Sequence, residues 1–163
     1  MSHIITLERK ICVDSEFLTS DIENHIFKKI KKSIVNECSK EYGYFLDIIK
    51  LKKIKDNYIS SNCENIFIVI FEAEILKPEV GKIFEGVACM IFSGGIFINI
   101  QNKLKVLIPL SSIPDYEFNS AKNLFEKKSK SKIIKENDLV KVLISGTKYS
   151  KQSYSCFGTI VEN

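Results

Sequence analysis

Chemistry near neutral pH needs a nucleophile, a base or a metal, and this chain spaces the residue types that supply them poorly. His3 and His25 are its two histidines, and neither sits in a His-Glu-x-x-His pair or beside a nucleophile that it could activate. Cys12, Cys38, Cys63, Cys89 and Cys156 are dispersed with no Cys-x-x-Cys pair. That pattern points to reduced thiols rather than a disulfide framework, and it argues against a four-ligand zinc site. Glu72 and Glu74 share one face of an alternating stretch, but two carboxylates at i and i+2 more often mark a solvated or partner-facing edge than an acid/base pair. Ser93-Gly94-Gly95 could form an anion nest, yet a tight turn explains it without a ligand. No phosphate loop, dinucleotide fingerprint or nucleophile elbow is present. The expectation is a chain with no catalytic residues, no metal and no cofactor.

Binding is what remains, and the charges favour a polyanion. Met1–Lys77 carries 12 basic and 12 acidic residues, whereas Pro78–Asn163 carries 12 and 8, so the whole net charge of +4 lies after Lys77. Arg9 is the sole arginine among 24 basic residues, which removes bidentate recognition of bases or phosphates. Contacts to nucleic acid would instead combine lysine charges with aromatic stacking, the usual means of sequence-tolerant single-strand binding. The candidate RNA-binding residues are Lys103 and Lys105, then Lys127, Lys128, Lys130 and Lys132, then Lys148, Tyr149 and Lys151. Tyr149 is the favoured stacking residue, while Phe92, Phe97 and Tyr154 could equally be core.

Those residues need a scaffold, and the pattern supplies one in two parts. At 163 residues with 45% hydrophobic content, the chain suits one domain or two small ones. Ile5, Leu7 and Ile11 predict a first strand. A helix follows, capped by Ser20 with Glu23 reaching back, and carrying the stripe Ile22, Ile26, Ile30 and Ile34 flanked by Phe27 and Val35. Its lysines read as a solvated face. Strands are expected over Gly43–Ile54 and Ile66–Leu76, joined by a polar connection, Lys55–Asn65, that exposes Tyr58 and Ile59. Pro78 cannot donate to a ladder, so a boundary is expected at Lys77-Pro78, giving units 1–77 and 78–163.

Beyond that boundary the expected strands are Ile83–Phe92, Ile96–Ile100, Lys103–Leu110, Leu139–Ile144 and Tyr154–Val161, with Lys127–Lys132 as a mobile loop and Gly146–Lys151 as a connection. Five strands with glycine-marked turns make an OB-type barrel. No apolar run approaches the roughly 20 residues of a membrane span, and the N-terminus lacks the form of a secretory signal, so an intracellular protein with no membrane contact is expected.

The succession Leu76-Lys77-Pro78-Glu79-Val80-Gly81-Lys82-Ile83-Phe84-Glu85-Gly86-Val87, then Gly95-Ile96-Phe97, then Lys105-Val106-Leu107-Ile108-Pro109, resembles the domain junction in the stalk subunits of multisubunit DNA-dependent RNA polymerases. That family comprises the seventh-largest subunit of RNA polymerase II and its archaeal counterpart. Glu41-Tyr42-Gly43-Tyr44-Phe45-Leu46 is similar to that family's strand after the first helix, and Phe157-Gly158-Thr159-Ile160 to its last barrel strand. The resemblance implies an α+β chain in which a truncated RNP-like domain precedes a five-stranded OB-fold barrel.

It further implies a non-catalytic subunit that docks beside the polymerase clamp, pairs with a small helical companion, contacts single-stranded RNA and supports initiation. Docking would use the tip, here Asn57, Tyr58 and Ile59, although Asp56–Asn65 lacks the family's glycine. The compact length and the Ile-, Lys- and Asn-rich composition would suit a version encoded by a large cytoplasmic DNA virus, found in host cytoplasm and virion, or by a fast-evolving cellular lineage. The rival expectation is a free-standing OB-fold RNA-binding factor of translation or RNA processing.

Overall fold

Phe45, Ile48, Leu51 and Ile54 stand three residues apart, a spacing that a strand of period two cannot bury on one face. In the computed structural model, which describes residues 2–162, these residues nevertheless lie in one long strand. The first of two units, Ser2–Lys77, contains β1 (His3–Val13), α1 (Ile22–Ile34), β2 (Cys38–Ser39), β3 (Gly43–Ile59) and β4 (Asn65–Leu76). Its antiparallel sheet has the order β1-β4-β3-β2. Pairing of β3 with β4 shifts register between Phe45 and Asp47, Ile48 and Lys50, Leu51 and Lys53, and Ile54 and Asp56. Each bulge inserts one residue and returns every third side chain to the core.

The same pairing extends β3 beyond its expected end. Asn57, Tyr58 and Ile59 pair with Phe67, Ile66 and Asn65, so the connection expected over Lys55–Asn65 contracts to a turn at Ser60–Glu64. In that turn Ser60 N donates to the Glu64 carbonyl at 2.9 Å. β4 buries Phe67, Val69, Phe71, Ala73 and Ile75 against Ile26, Ile30 and Ile34 of α1. Full burial of one such isoleucine contributes roughly 2–3 kcal/mol.

The start of α1 departs from the expected capping box. Asp21 is the N-cap, so Glu23 falls one position too early to reach back, and Asp21 Oδ1 instead accepts the Asn24 side-chain amide at 2.5 Å. Val35, expected beside the stripe, is the C-cap and is exposed.

The second unit, Pro78–Asn163, holds β5 (Ile83–Phe92), β6 (Gly95–Ile100), β7 (Leu104–Pro109), β8 (Tyr116–Asn119), β9 (Leu124–Lys127), β10 (Ile133–Ile134), β11 (Leu139–Ser150) and β12 (Ser153–Ile160). Five of these strands close a barrel in the order β11-β12-β7-β6-β5, sealed by the parallel pairing of β12 with β7. Alternate residues fill it, among them Ile96, Ile98, Ile100, Val106, Ile108 and Val142. At Gly95 φ is +153°, and a Cβ there would overlap the Ile108 carbonyl oxygen, so glycine is what lets β6 run against β7.

The segment expected as a loop, Lys127–Lys132, forms the turn between β9 and β10, and the strands around it are the part not expected. β8, β9 and β10 form a three-stranded sheet between β7 and β11 in the chain, with Tyr116, Phe125 and Ile134 buried. Lys127 N donates to the Lys132 carbonyl at 2.9 Å, closing the β9–β10 turn, and Lys128 N donates to the Asp115 carbonyl at 2.8 Å, extending the β8–β9 pairing.

Candidate nucleic-acid interface

With Ile96, Ile98 and Ile100 pointing into the barrel, the intervening Phe97 and Asn99 must point out. A bulge between Ala88 and Met90 does the same for Met90, pairing it with Phe97. Phe97 in turn pairs with Leu107 on β7, and Leu107 with Phe157 on β12. The result is an apolar row, Met90–Phe97–Leu107–Phe157, running across four strands of the outer wall, with Met90 53% and Phe157 50% exposed. Phe92 extends it, its ring stacked on Phe97 at 5.8 Å between centroids and 23° between planes.

Below the row, Asn99 faces Lys105 across β6 and β7. Cys89, Met90, Phe97, Asn99 and Lys105 line a shallow cleft of about 270 Å³, in which Cys89 Sγ donates to the Phe97 carbonyl at 3.4 Å. The surface offers rings for stacking and a lysine for phosphate, which is chemistry for holding a single strand rather than transforming it.

The residues expected from sequence do not all reach this face. Lys105 does. Lys103 lies in the turn before β7 rather than on that strand. Gly146–Ser150, expected as a connection, is instead the end of β11, and only Lys151 and Gln152 make the turn, both with positive φ. Lys148 pairs with Ser155, which is two residues from Phe157, so its ammonium sits on the side of the row.

Tyr149 pairs with Tyr154, rings 5.1 Å apart, and strand alternation turns both away from Lys148 to the other side of the hairpin. Lys127 Nζ is bound to Glu162 at 2.7 Å, while Lys128, Lys130 and Lys132 stand exposed around the β9–β10 turn. Sequence reasoning missed Met90, Leu107 and Phe157 as surface residues and left Phe97 undecided. The signal was there in the parity of Phe97 against its three isoleucine neighbours.

Glu162 also accepts from the Tyr116 hydroxyl at 2.9 Å. Burial, with the Glu162 carboxylate beside it, pushes the Tyr116 hydroxyl up to about 12, and the Lys127 bond holds Glu162 below the ordinary carboxylate range. Glu72 is likewise held low, by Lys52 at 2.9 Å and Lys50 at 3.5 Å, which makes it an ion-pair partner and not half of an acid/base pair. Burial raises the Cys156 thiol to about 11, leaving it inert in the barrel core. Among the described residues no group of His, Cys, Asp and Glu could hold a metal, and no helix is long and apolar enough to cross a membrane.

In the first unit, Tyr58 and Ile59 are 41% and 70% exposed at the end of β3, and Lys10 Nζ lies 5.9 Å from the Tyr58 ring centroid. Asn57 is exposed beside them.

A closed five-stranded barrel with an aromatic outer row is an OB-type barrel, here preceded by an α+β unit. Residues 77–156 match the model of the S1 RNA binding domain. The chain is 26% identical over 114 residues to DNA-directed RNA polymerase V subunit 7 of Arabidopsis thaliana, covering 69% of this chain and 64% of that relative, just under two thirds of its length. It is 21% identical over 163 residues to DNA-directed RNA polymerase II subunit rpb7 of Dictyostelium discoideum, covering 98% of this chain and 94% of the other. It is also 25% identical over 134 residues to polyribonucleotide nucleotidyltransferase of Ehrlichia canis (strain Jake), with 82% of this chain covered but 16% of that protein. The chain is thus similar to the seventh subunit of multisubunit RNA polymerases, and its second unit matches the S1 RNA binding domain.

Proposed function

We propose that this chain is a non-catalytic stalk subunit of a DNA-directed RNA polymerase whose barrel holds emerging single-stranded RNA. The observation that carries the RNA half is the outward row Met90–Phe97–Leu107–Phe157, exposed at its Met90 and Phe157 ends, with Lys105 beside it, an apolar strip of the kind that marks a binding surface. The polymerase half rests on relatives named as polymerase subunits, one of them matched over nearly the whole chain. In this reading the first unit serves as a truncated RNP-like docking domain, with Asn57, Tyr58 and Ile59 against the clamp region of the largest subunits. A small helical companion completes the stalk, and the assembly supports initiation.

The test is affinity purification of the tagged chain from its own cells. The two largest polymerase subunits should co-purify, and replacing Tyr58 and Ile59 together with Ala should deplete them, since truncating a central interface Tyr typically costs on the order of 2 kcal/mol. Both side chains are exposed, so the fold should survive the change. RNA binding without polymerase in the eluate would refute the stalk reading and leave a free-standing RNA-binding factor.

A further inference from the structure

We infer that a second single-stranded RNA contact lies in the first unit, on one side of α1, where a ring platform and lysines share a cleft. Phe17, in a single 3-10 turn ahead of the helix, stacks on His25 with centroids 3.8 Å apart and planes 9° from parallel. Phe17 is 38% exposed and lies outside the residues packed on the core beneath α1. His25, Lys28, Lys29 and Lys32 follow at spacings of three and four, which puts them on one side of the helix. Together with Phe17 and the single carboxylate of Asp14 they line an open cleft of about 420 Å³.

The lysines differ in what occupies them. Lys29 Nζ donates to the Cys12 carbonyl, and Lys31, on the other side, pairs with Asp47 at 3.1 Å. Lys28 and Lys32 stand exposed at the rim one helical turn apart, placed to meet successive phosphates. Acids and bases balance over residues 1–77, yet α1 alone sets four lysines against Glu23, so positive charge is concentrated there and compensated elsewhere.

That much would suit any polyanion. The parallel Phe17–His25 pair selects among them, because a nucleobase gains stacking energy on such a platform and an acidic side chain does not. The contact goes beyond the barrel reading and stands on residues of the first unit alone.

The test uses the full chain and a uridine oligomer containing 4-thiouridine, with photo-crosslink mapping and fluorescence anisotropy across salt. Crosslinks should appear in the peptide bearing Phe17 and His25. Lys28→Glu with Lys32→Glu should weaken binding severalfold and make the plot of log K against log salt shallower by about 1.4, from roughly 0.7 per phosphate contact. Lys28→Gln with Lys32→Gln carries the same expectation with less disturbance of the helix. Phe17→Ala should cost about fivefold or more without changing the slope.

These effects should persist when Phe97 and Phe157 are both Ala, so failure of the barrel to bind RNA leaves the inference standing and separately measured. Crosslinks confined to barrel peptides would overturn it, as would unchanged affinity in Phe17→Ala. Competition by polyglutamate as strong as by RNA would also overturn it and assign the cleft to an acidic peptide.

Discussion

The barrel face makes a prediction in which stacking and charge separate. Phe97 projects outward against Phe92, so Phe97→Ala removes a stacking ring without opening a cavity in the core. The loss of one base–aromatic stack is worth about 1–3 kcal/mol, or roughly five- to 150-fold in Kd, with the salt slope unchanged because stacking releases few counterions. Two of the sequence-expected lysines, Lys105 and Lys148, sit on the side of the row. Two phosphate contacts predict a contribution to the slope of log K against log salt of about −1.4, where all four of Lys103, Lys105, Lys148 and Lys151 would give about −3. Anisotropy titrations of a uridine oligomer from low to high salt, on Phe97→Ala, Lys105→Glu/Lys148→Glu and Lys103→Glu/Lys151→Glu, measure each part. The reasoning is refuted if Phe97→Ala binds like the unaltered chain, or if the Lys103/Lys151 pair flattens the slope while the Lys105/Lys148 pair does not.

Three further expectations concern what holds the scaffold. Gly95→Ala must place a Cβ against the Ile108 carbonyl at a φ of +153°, and should lower stability by about 2 kcal/mol or more in urea unfolding. Ile30→Ala leaves a hole beneath α1 where the side chain is fully buried, and should cost about 2–5 kcal/mol, read as loss of the helix signal at lower denaturant. The Tyr116–Glu162–Lys127 cluster gives a pH window. A carboxylate held low stabilises above its ordinary pKa of 4.5 and loses that contribution as pH falls through the lowered value, and a hydroxyl raised to about 12 stabilises below 10 and loses it as pH climbs through 12. Glu162→Gln should therefore be less stable than the parent at neutral pH and converge with it in acid, and a constant difference down to pH 2 would exclude the ion pair as the cause.

The barrel was legible because most of its wall alternates, and Gly94 and Asn102 mark the turns after β5 and β6, so all five expected strands are seen in the expected chain order. Two stretches misled. Lys55–Asn65 is polar enough to read as a loop, yet Asn57–Ile59 pair with Asn65–Phe67, and pairing with a fixed neighbour overrides composition. Lys122–Lys132 carries so many charges that the short alternation around Phe125 was hidden, although Phe125 is fully buried. The candidate site was read the opposite way. Lysines are conspicuous in a sequence and draw attention, whereas the outer aromatic row depends on which face of each strand turns inward and on a one-residue bulge at Ala88/Met90.

Irregularities shape the outer face of the barrel at two places, and they do so by the same physics. A regular β5 would send Met90 to the same side as Ala88, into the core; the inserted residue instead leaves Met90 outside and opposite Phe97 while Ile91 returns to the interior. On β11 the shift between Ile144 and Gly146 sets a glycine across from Phe157, and the sole heavy atom within 4 Å of a Cβ built there belongs to the Phe157 ring, at 3.9 Å. Neither positive φ nor crowding demands glycine at that position. Its effect is on the neighbour: without a side chain at 146, the Phe157 ring stays half exposed at the end of the apolar row. The barrel thus departs from strict pleating at the two places where regular strands would have buried or covered its outer apolar row, and the rest of the wall keeps the alternation that packs the core.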